Sequence, residues 1–591
     1  MCGIIGFIGK RDAAQIVIDG MRHLEYRGYD SCGIVISNGK DLSIMKDVGK
    51  MEEVFGNADI ASFKGNMGIG HTRWATHGGV TKENAHPHLS NNNKIAVVHN
   101  GIIENYLELK QMLIKEGFVF KSQTDTEVIP LLIEYNMKKH NMDFKDATKA
   151  ALKMLEGQWA IVAMHVDENK LIAARHEAPL VIGIGNDEYF VASDIPAFLR
   201  YTKNVIYLDD YDMTTISPDG VSVLNLKKNI TVQKEIHSIE WSAEQAEKGN
   251  FDHFMLKEIF EQSEVIKRAI AQPKEDIDAV AKEIKNAKHV YLTACGTSYH
   301  TCLTARYIFS KIANKNVNVI YAHEFKYFKH FIGKDSLVIA VSQSGETAET
   351  LEAMRIAKEA GAKTIAITNV MGSSAARECD QALMQQAGPE ISVISTKTYT
   401  SQLAILSLIA YAIADKFEEG KDALKNVAML IFHLTSENAR KYTKELAEKL
   451  RYTNHIYLIG RSIGYPTALE AALKIKEVSY IHAEAYAAGE LKHGTIALIE
   501  YGTPCIIFTS EETEKEIFSS AEELKARGAY IIGVGPKRHK VFDHWIKIWD
   551  GGVFNPIIQI IPMQILAYQL AILRGCDPDK PRNLAKSVTV K

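Results

Sequence analysis

The chain has 591 residues, 46% of them hydrophobic and 24% charged, with a formal net charge of −3, the profile of an ordinary globular protein of several domains. That balance excludes a basic nucleic-acid-binding protein and an acidic tail. Seven cysteines, an odd number with no CxxC pair, exclude a disulfide framework and a zinc knuckle and fit a reducing cytosol.

The N-terminus, Met1-Cys2-Gly3-Ile4-Ile5-Gly6, runs straight into a strand pattern without the basic region and cleavage site of a signal peptide. A cytoplasmic protein is expected. Short strands broken by Gly and Asn follow, predicted over 3–8, 33–36, 94–99, 160–165, 171–174 and 189–192, with helices starting near Asn105 and near Thr124. Strands in runs with grouped helices predict sheet packed on sheet with helices outside. A polar stretch between 239 and 250 reads as a linker, giving a first domain over 2–240 and a linker over 241–250.

Beyond the linker, strands alternate with helices, the pattern of a parallel α/β sheet. The pattern also repeats. His289-Val-Tyr-Leu-Thr-Ala-Cys-Gly-Thr-Ser-Tyr299 is echoed by His455-Ile-Tyr-Leu-Ile-Gly-Arg-Ser-Ile-Gly-Tyr465, and 357–367 by 524–534. Two copies of one doubly wound domain are the simplest reading, placed at 251–430 and 431–578 with a tail over 579–591. The longest apolar stretch, 403–414, is shorter than the ~20 residues a membrane span needs and reads as a buried helix.

Removal of Met1 would leave Cys2 with a nucleophilic thiol and, on the same residue, an α-amine of pKa near ~8 able to act as a base. By position alone, Cys2 reads rather as a small apolar residue packed in the first strand. Its neighbours favour chemistry. Arg73, in His71-Thr72-Arg73-Trp74-Ala75-Thr76-His77-Gly78, has the fork geometry for a substrate carboxylate. In His99-Asn100-Gly101, the Asn100 amide and the Gly101 N–H are suited to an oxyanion hole. Asp125 suits a substrate ammonium, or else caps a helix N-terminus. The spacing of His77, His86 and His88 matches no common zinc site.

Together with Glu25-Tyr26-Arg27-Gly28-Tyr29-Asp30-Ser31 and Asn84-Ala85-His86-Pro87-His88, these segments resemble the N-terminal-nucleophile glutamine amidotransferases. The resemblance implies a four-layer αββα sandwich of the α+β class. It makes Cys2 the nucleophile, Asn100 and Gly101 the oxyanion donors, and Arg73, Trp74, Thr76, His77 and Asp125 the glutamine pocket. Trp74 would also gate an ammonia path. No metal is implied.

In the second part, the strand over 337–341 is followed by Ser342-Gln343-Ser344-Gly345-Glu346-Thr347. A hydroxyl-rich loop at a helix N-terminus offers donors to a phosphate, and this one lacks the lysine pattern of a nucleotide-hydrolysing P-loop. Cys295-Gly296-Thr297-Ser298 and Ser395-Thr396-Lys397-Thr398 add two more such loops, which favours a polyol phosphate. These loops resemble sugar-isomerase domains, flavodoxin-like and doubly wound. With the segments around 251–262, 473–477, 482–494 and 584–590, the resemblance extends to the glucosamine-6-phosphate synthases over nearly the whole chain.

What it implies is an enzyme that uses L-glutamine and D-fructose 6-phosphate, without a cofactor, as a homodimer, with no nucleic acid or membrane partner. It assigns Thr297, Ser298, Ser342, Gln343, Ser344, Thr347, Val393 and Ser395 to the sugar phosphate. Glu477 becomes the base that moves a proton, Lys474 its electrostatic partner, His493 the ring-opening proton shuttle and Lys586 the Schiff-base lysine. Read singly, Lys474 and Glu477 are an ordinary helix pair and Lys586 a tail charge. Ile394 and Thr495 depart from the family pattern without replacing a catalytic group.

Overall fold

A computed structural model describes residues 2–239, 241 and 243–589. Met1, Glu240 at the expected domain end, Ser242 in the expected linker, and Val590 and Lys591 in the expected tail lie outside the described residues. The chain divides into two compact units, one of residues up to 247 together with those from 585, the other of 248–584.

The first unit is built on an eight-stranded and a seven-stranded sheet. In one, Gly3–Ile8 lies antiparallel between Tyr189–Ala192 and Met67–Arg73. In the other, Gly157–His165 lies antiparallel between Ile95–Ile103 and Leu171–His176. Alternation along each strand sorts the apolar side chains into layers. Ile5 and Phe7 face helix Ala13–Arg22, whereas Ile4 and Ile8 face the second sheet and pack with Ala96, Val98 and Val162. On the far side of that sheet, Ile95, Val97 and Ile161 pack against helices Val128–His140 and Phe144–Leu152. Helix, sheet, sheet and helix make the expected four-layer sandwich.

Several expected elements have different bounds. The strand expected at 33–36 is Ser31–Ser37 and that at 94–99 is Ile95–Ile103. The helix expected near Thr124 begins at Val128. Glu127 accounts for the delay, because its carboxylate accepts the backbone N–H groups of Lys121 and Ser122 at 2.8 and 2.7 Å and holds 121–127 as a turn.

The second unit contains two five-stranded parallel sheets of identical order. The first runs Asn318–Tyr321, His289–Ala294, Ser336–Ser342, Lys363–Thr368, Gln381–Met384. The second runs His482–Ala487, His455–Gly460, Pro504–Phe508, Tyr530–Gly535, His544–Lys547. Each order is 2-1-3-4-5, so the repeated sequence becomes a repeated fold. In sheets of this order, ligands bind where the order reverses, beyond the carboxyl ends of strands 1 and 3.

One apolar cluster joins the two sheets through helices Lys397–Ile413, Gly464–Ser479 and Asn555–Leu573. Every residue of Lys397–Ile413 is buried. Among the described residues, the span Gly552–Leu573 is long and apolar enough, with a mean hydropathy of 1.6, to cross a membrane by length and composition. Here its most apolar window is 83% buried inside the protein. Its polar side chains bond to the surrounding protein: Gln559 donates to the Thr509 carbonyl at 2.9 Å, and Gln564 accepts from Gln262 at 2.6 Å.

Candidate functional site

Cys2 enters the first sheet beside the strand ends 71–74 and 99–103. Its Sγ rests on the main chain of Trp74, accepting the Trp74 N–H at 3.2 Å and lying 3.5 Å from the Trp74 carbonyl. Burial pushes the thiol up from its ordinary pKa, while the Trp74 N–H and the guanidinium groups of Arg73 and Arg27 pull it back. The Cys2 carbonyl accepts from Arg27 at 3.2 Å and from the Asn100 amide at 2.9 Å. Arg27 is in turn held by Asp194 at 3.1 Å.

Gly101 follows Asn100 with φ +123°, and a Cβ there would meet the Gln158 carbonyl oxygen at 2.0 Å. Only glycine lets the strand bend at that point. The Arg73 guanidinium, buried, donates to the carbonyls of His77, Gly78 and Gly79 at 2.6, 3.2 and 3.2 Å and so shapes the 77–79 loop. Asp125 caps no helix; its Oδ2 accepts the Ile103 N–H at 2.8 Å, which ties it to the strand carrying Asn100 and Gly101. Trp74 is half-buried, edge-on to Tyr29. Thr76 is exposed and His77 half-buried, edge-on to Tyr106.

Four further histidines lie on or beside these strands. His71, His86, His88 and His99 are all buried, and burial pushes each below its ordinary pKa, His71 to about 3. They are hydrogen-bonded rather than gathered about a point: His86 accepts the His99 N–H, and His88 and His99 bond the Thr124 and Thr126 hydroxyls. Among the described residues no group of three or more His, Cys, Asp or Glu is arranged to hold a metal ion.

In the second unit, helix Gly464–Ser479 places Glu470, Lys474 and Glu477 at i, i+4 and i+7, on one face. Lys474 is fully buried, 2.7 Å from Glu477 and 3.3 Å from Glu470, and donates to the Thr297 hydroxyl at 3.0 Å. Burial pushes Lys474 down, but Glu470 and Glu477 outweigh it and leave the lysine above its ordinary pKa. Burial raises Glu477, with Lys474 opposing. A carboxyl that keeps its proton more readily than usual, beside a fixed ammonium, suits proton transfer. Glu470 also accepts from Thr297 at 3.0 Å and from His300 at 2.7 Å.

Thr297 and Ser298 open helix Gly296–Ala313 after strand 1, and Ser342–Thr347 follows strand 3, so both loops flank the switch point of the first sheet. The Ser342 hydroxyl accepts the Gly345 N–H at 3.0 Å and lies 3.4 Å from the Thr347 hydroxyl, while Ser344 accepts the Glu346 N–H. Gln343 fixes the loop by accepting the Asn369 N–H at 3.1 Å. Ser298 accepts from Gln402 at 3.0 Å. Val393 is buried, its N–H on the Asp579 carbonyl, and half-buried Ser395 precedes Thr396, whose N–H meets Glu390.

The structure thus joins Cys2, Trp74 and Asn100 by direct contact, and Lys474, Glu477 and Thr297 likewise. His493 is exposed at the end of the turn Glu490–His493, and its side chain has no hydrogen-bond partner among the described residues. Lys586 is half-buried and belongs to the first unit.

Two domain families match the chain: a glutamine amidotransferase domain over 71–200 and the SIS domain over 283–412 and 449–539. The chain is 47% identical to a glutamine–fructose-6-phosphate aminotransferase (isomerizing) of Thermococcus kodakarensis, over 100% of both chains. It is 46% identical to the protein of that name from Methanothermobacter thermautotrophicus, again over 100% of both. The chain belongs to this family. Among solved structures, the C-terminal domain of a glucosamine-fructose-6-phosphate aminotransferase from Francisella tularensis matches with a TM-score of 0.54 and 34% identity, covering 57% of this chain and 100% of that domain.

Sequence reasoning missed the groups that hold the candidate residues in place. Glu470 had a usable signal: it stands one helical turn before Lys474, facing the same way. His71 shares its strand face with Ile69 and Arg73, two residues to either side, so strand alternation pointed it at the second sheet. His300 had no such signal, since its partner Glu470 lies 170 positions away in the chain.

Proposed function

We propose that the first unit releases ammonia from L-glutamine and that the second adds it to D-fructose 6-phosphate, yielding D-glucosamine 6-phosphate and L-glutamate. The observation that carries this reading is Cys2 Sγ seated on the Trp74 main chain with the Asn100 amide bonded to the carbonyl of the same cysteine. With Met1 removed, Sγ attacks the glutamine amide carbon, its proton passing to the Cys2 α-amine and then to the departing nitrogen. Asn100 and Gly101 hold the oxyanion. Water then releases glutamate from the thioester. Arg73 and Asp125 take the glutamine carboxylate and ammonium, with Trp74, Thr76 and His77 around them.

In the second unit, Ser342, Gln343, Ser344 and Thr347 hold the phosphate, with Thr297, Ser298, Val393 and Ser395 along the sugar. His493 moves the proton that opens the ring, and Lys586 forms the Schiff base with the ketone. Glu477 takes the proton from carbon 1 and returns it to carbon 2 while Lys474 steadies the developing charge. The reading places sugar-isomerase domains at 251–430 and 431–578, the linker at 241–250 and the tail at 579–591. It needs no metal or cofactor. A homodimer in the cytoplasm is part of it: His493 is exposed and has no hydrogen-bond partner among the described residues, which supports its serving a second copy. Ammonia that protonates in water is a poor nucleophile, which argues for a sheltered path.

Incubation with amide-¹⁵N glutamine and fructose 6-phosphate tests both halves. Equal glutamate and ¹⁵N-glucosamine 6-phosphate are expected, and glutamate without labelled sugar would remove the second half of the reading. Cys2→Ala should abolish glutamine use and spare sugar isomerisation; retained glutamine-dependent synthesis would rule out Cys2 as nucleophile.

A further inference from the structure

An oxyanion hole built on an asparagine has a weakness that one built on main-chain N–H groups lacks. The amide presents a donor on one side and an acceptor on the other, and a half-turn about its last bond exchanges them. In a reversed Asn100, Oδ1 would face the Cys2 carbonyl oxygen, and the amide would offer repulsion where a negative charge develops.

The group facing the other side of the Asn100 amide is His71. Its Nε2 lies 3.0 Å from Asn100 Oδ1 and 3.0 Å from the His99 carbonyl oxygen. Two acceptors at one nitrogen require that nitrogen to carry the proton. The other ring nitrogen, Nδ1, is buried with no hydrogen-bond partner among the described residues, as suits an unprotonated nitrogen better than an N–H. Burial keeps the ring neutral by pushing its pKa to about 3, and stacking on His86, with centroids 4.2 Å apart, holds its plane. The His99 carbonyl locks Nε2–H in place independently of Asn100. A reversed Asn100 would bring its NH2 against that N–H, donor against donor. With Oδ1 so fixed, one amide hydrogen reaches the Cys2 carbonyl at 2.9 Å and the second remains for the oxyanion.

We infer that His71 is a positioning residue for amide hydrolysis, its Nε2–H fixing which way round the Asn100 amide faces. The inference rests on the reading of Asn100 as an oxyanion donor. It assigns His71 no contact with glutamine, so its effect belongs to the transition state rather than to binding.

The test uses the full chain with fructose 6-phosphate present and measures kcat and KM for glutamine hydrolysis. His71→Phe keeps a ring to stack on His86 and removes the N–H. It should lower kcat on the order of 10- to 100-fold, a single oxyanion donor being worth ~10²–10³, and leave KM for glutamine unchanged. His71→Gln, which retains a side-chain N–H, should recover most of the loss. On an Asn100→Ala background the His71→Phe substitution should cost nothing further, because residues acting as one unit are not additive. Thermal unfolding of the first unit, followed by the environment of buried Trp159, serves as the folding control. If His71→Phe does not fold, His71→Ala, which also lacks the N–H, carries the same cycle, its loss vanishing on Asn100→Ala.

Wild-type kcat in His71→Phe overturns the inference, as does a loss that multiplies in full with that of Asn100→Ala. Glutamine hydrolysis undiminished in Asn100→Ala alone would instead overturn the oxyanion reading and leave His71 with nothing to position.

Discussion

At the scale of single residues, the chemistry-bearing groups were legible where chain order itself carried the signal. Cys2 followed by Gly3, and Asn100 followed by Gly101, are short-range facts, and the structure places them together. Asp125 was harder: beside a helical pattern it reads as an N-cap, and only the strand carrying Ile103 supplies the N–H that its carboxylate accepts. Gly101→Ala should destabilise the first unit by ~1–3 kcal/mol through backbone strain alone, with a larger loss in glutamine hydrolysis, because the new methyl meets the Gln158 carbonyl. Thermal unfolding beside kcat checks both; an Ala variant of native stability would mean that the strand yields easily. Lys474→Met leaves buried Glu470 and half-buried Glu477 without their cation, a change expected to cost ~3–5 kcal/mol at neutral pH. Unpaired carboxyls in a buried site have raised pKa values, so the deficit should shrink as pH falls and they take up protons. A deficit constant with pH would show that Lys474 does not hold that charge.

At the scale of elements, period and propensity gave types more reliably than bounds. The helix after 121–127 starts late because a side chain, Glu127, occupies the backbone donors of the preceding turn, and single-residue propensity does not register such a contact. Hydropathy alone gives helix Asn555–Leu573 the look of a membrane span. Its neighbours decide otherwise, since Gln559 and Gln564 find polar partners within a protein interior. That helix belongs to the one cluster shared by both parallel sheets. Ile565→Ala, at a fully buried position, should therefore cost ~2–5 kcal/mol and lower the stability of both sugar-isomerase halves together. Proteolysis or hydrogen exchange that loosened only one half would contradict a shared core.

At the scale of the whole molecule, two units of different construction should answer differently to acid. The first contains His71, His86, His88 and His99, each held neutral by burial. Their folded pKa values lie below the ordinary 6.5, so on acidification the unfolded chain takes up protons first. Stability from these groups is full above pH 6.5 and falls as pH drops toward 3 for His71, by about 1.4 kcal/mol per pH unit for each fully shifted histidine. Unfolding of the first unit, followed by the Trp159 environment, should weaken from pH 7 to 5; a flat profile would mean that the histidines charge within the fold. The sequence by itself determined the class of each unit, the repeat and the family, because period, chain order and short motifs are local properties. Only the tertiary structure decided which groups hold the reactive ones. Glu470 bonds His300 across 170 positions of chain and Asn100 reaches the Cys2 carbonyl across 98, and partners so distant in sequence meet only when sheets and helices have packed.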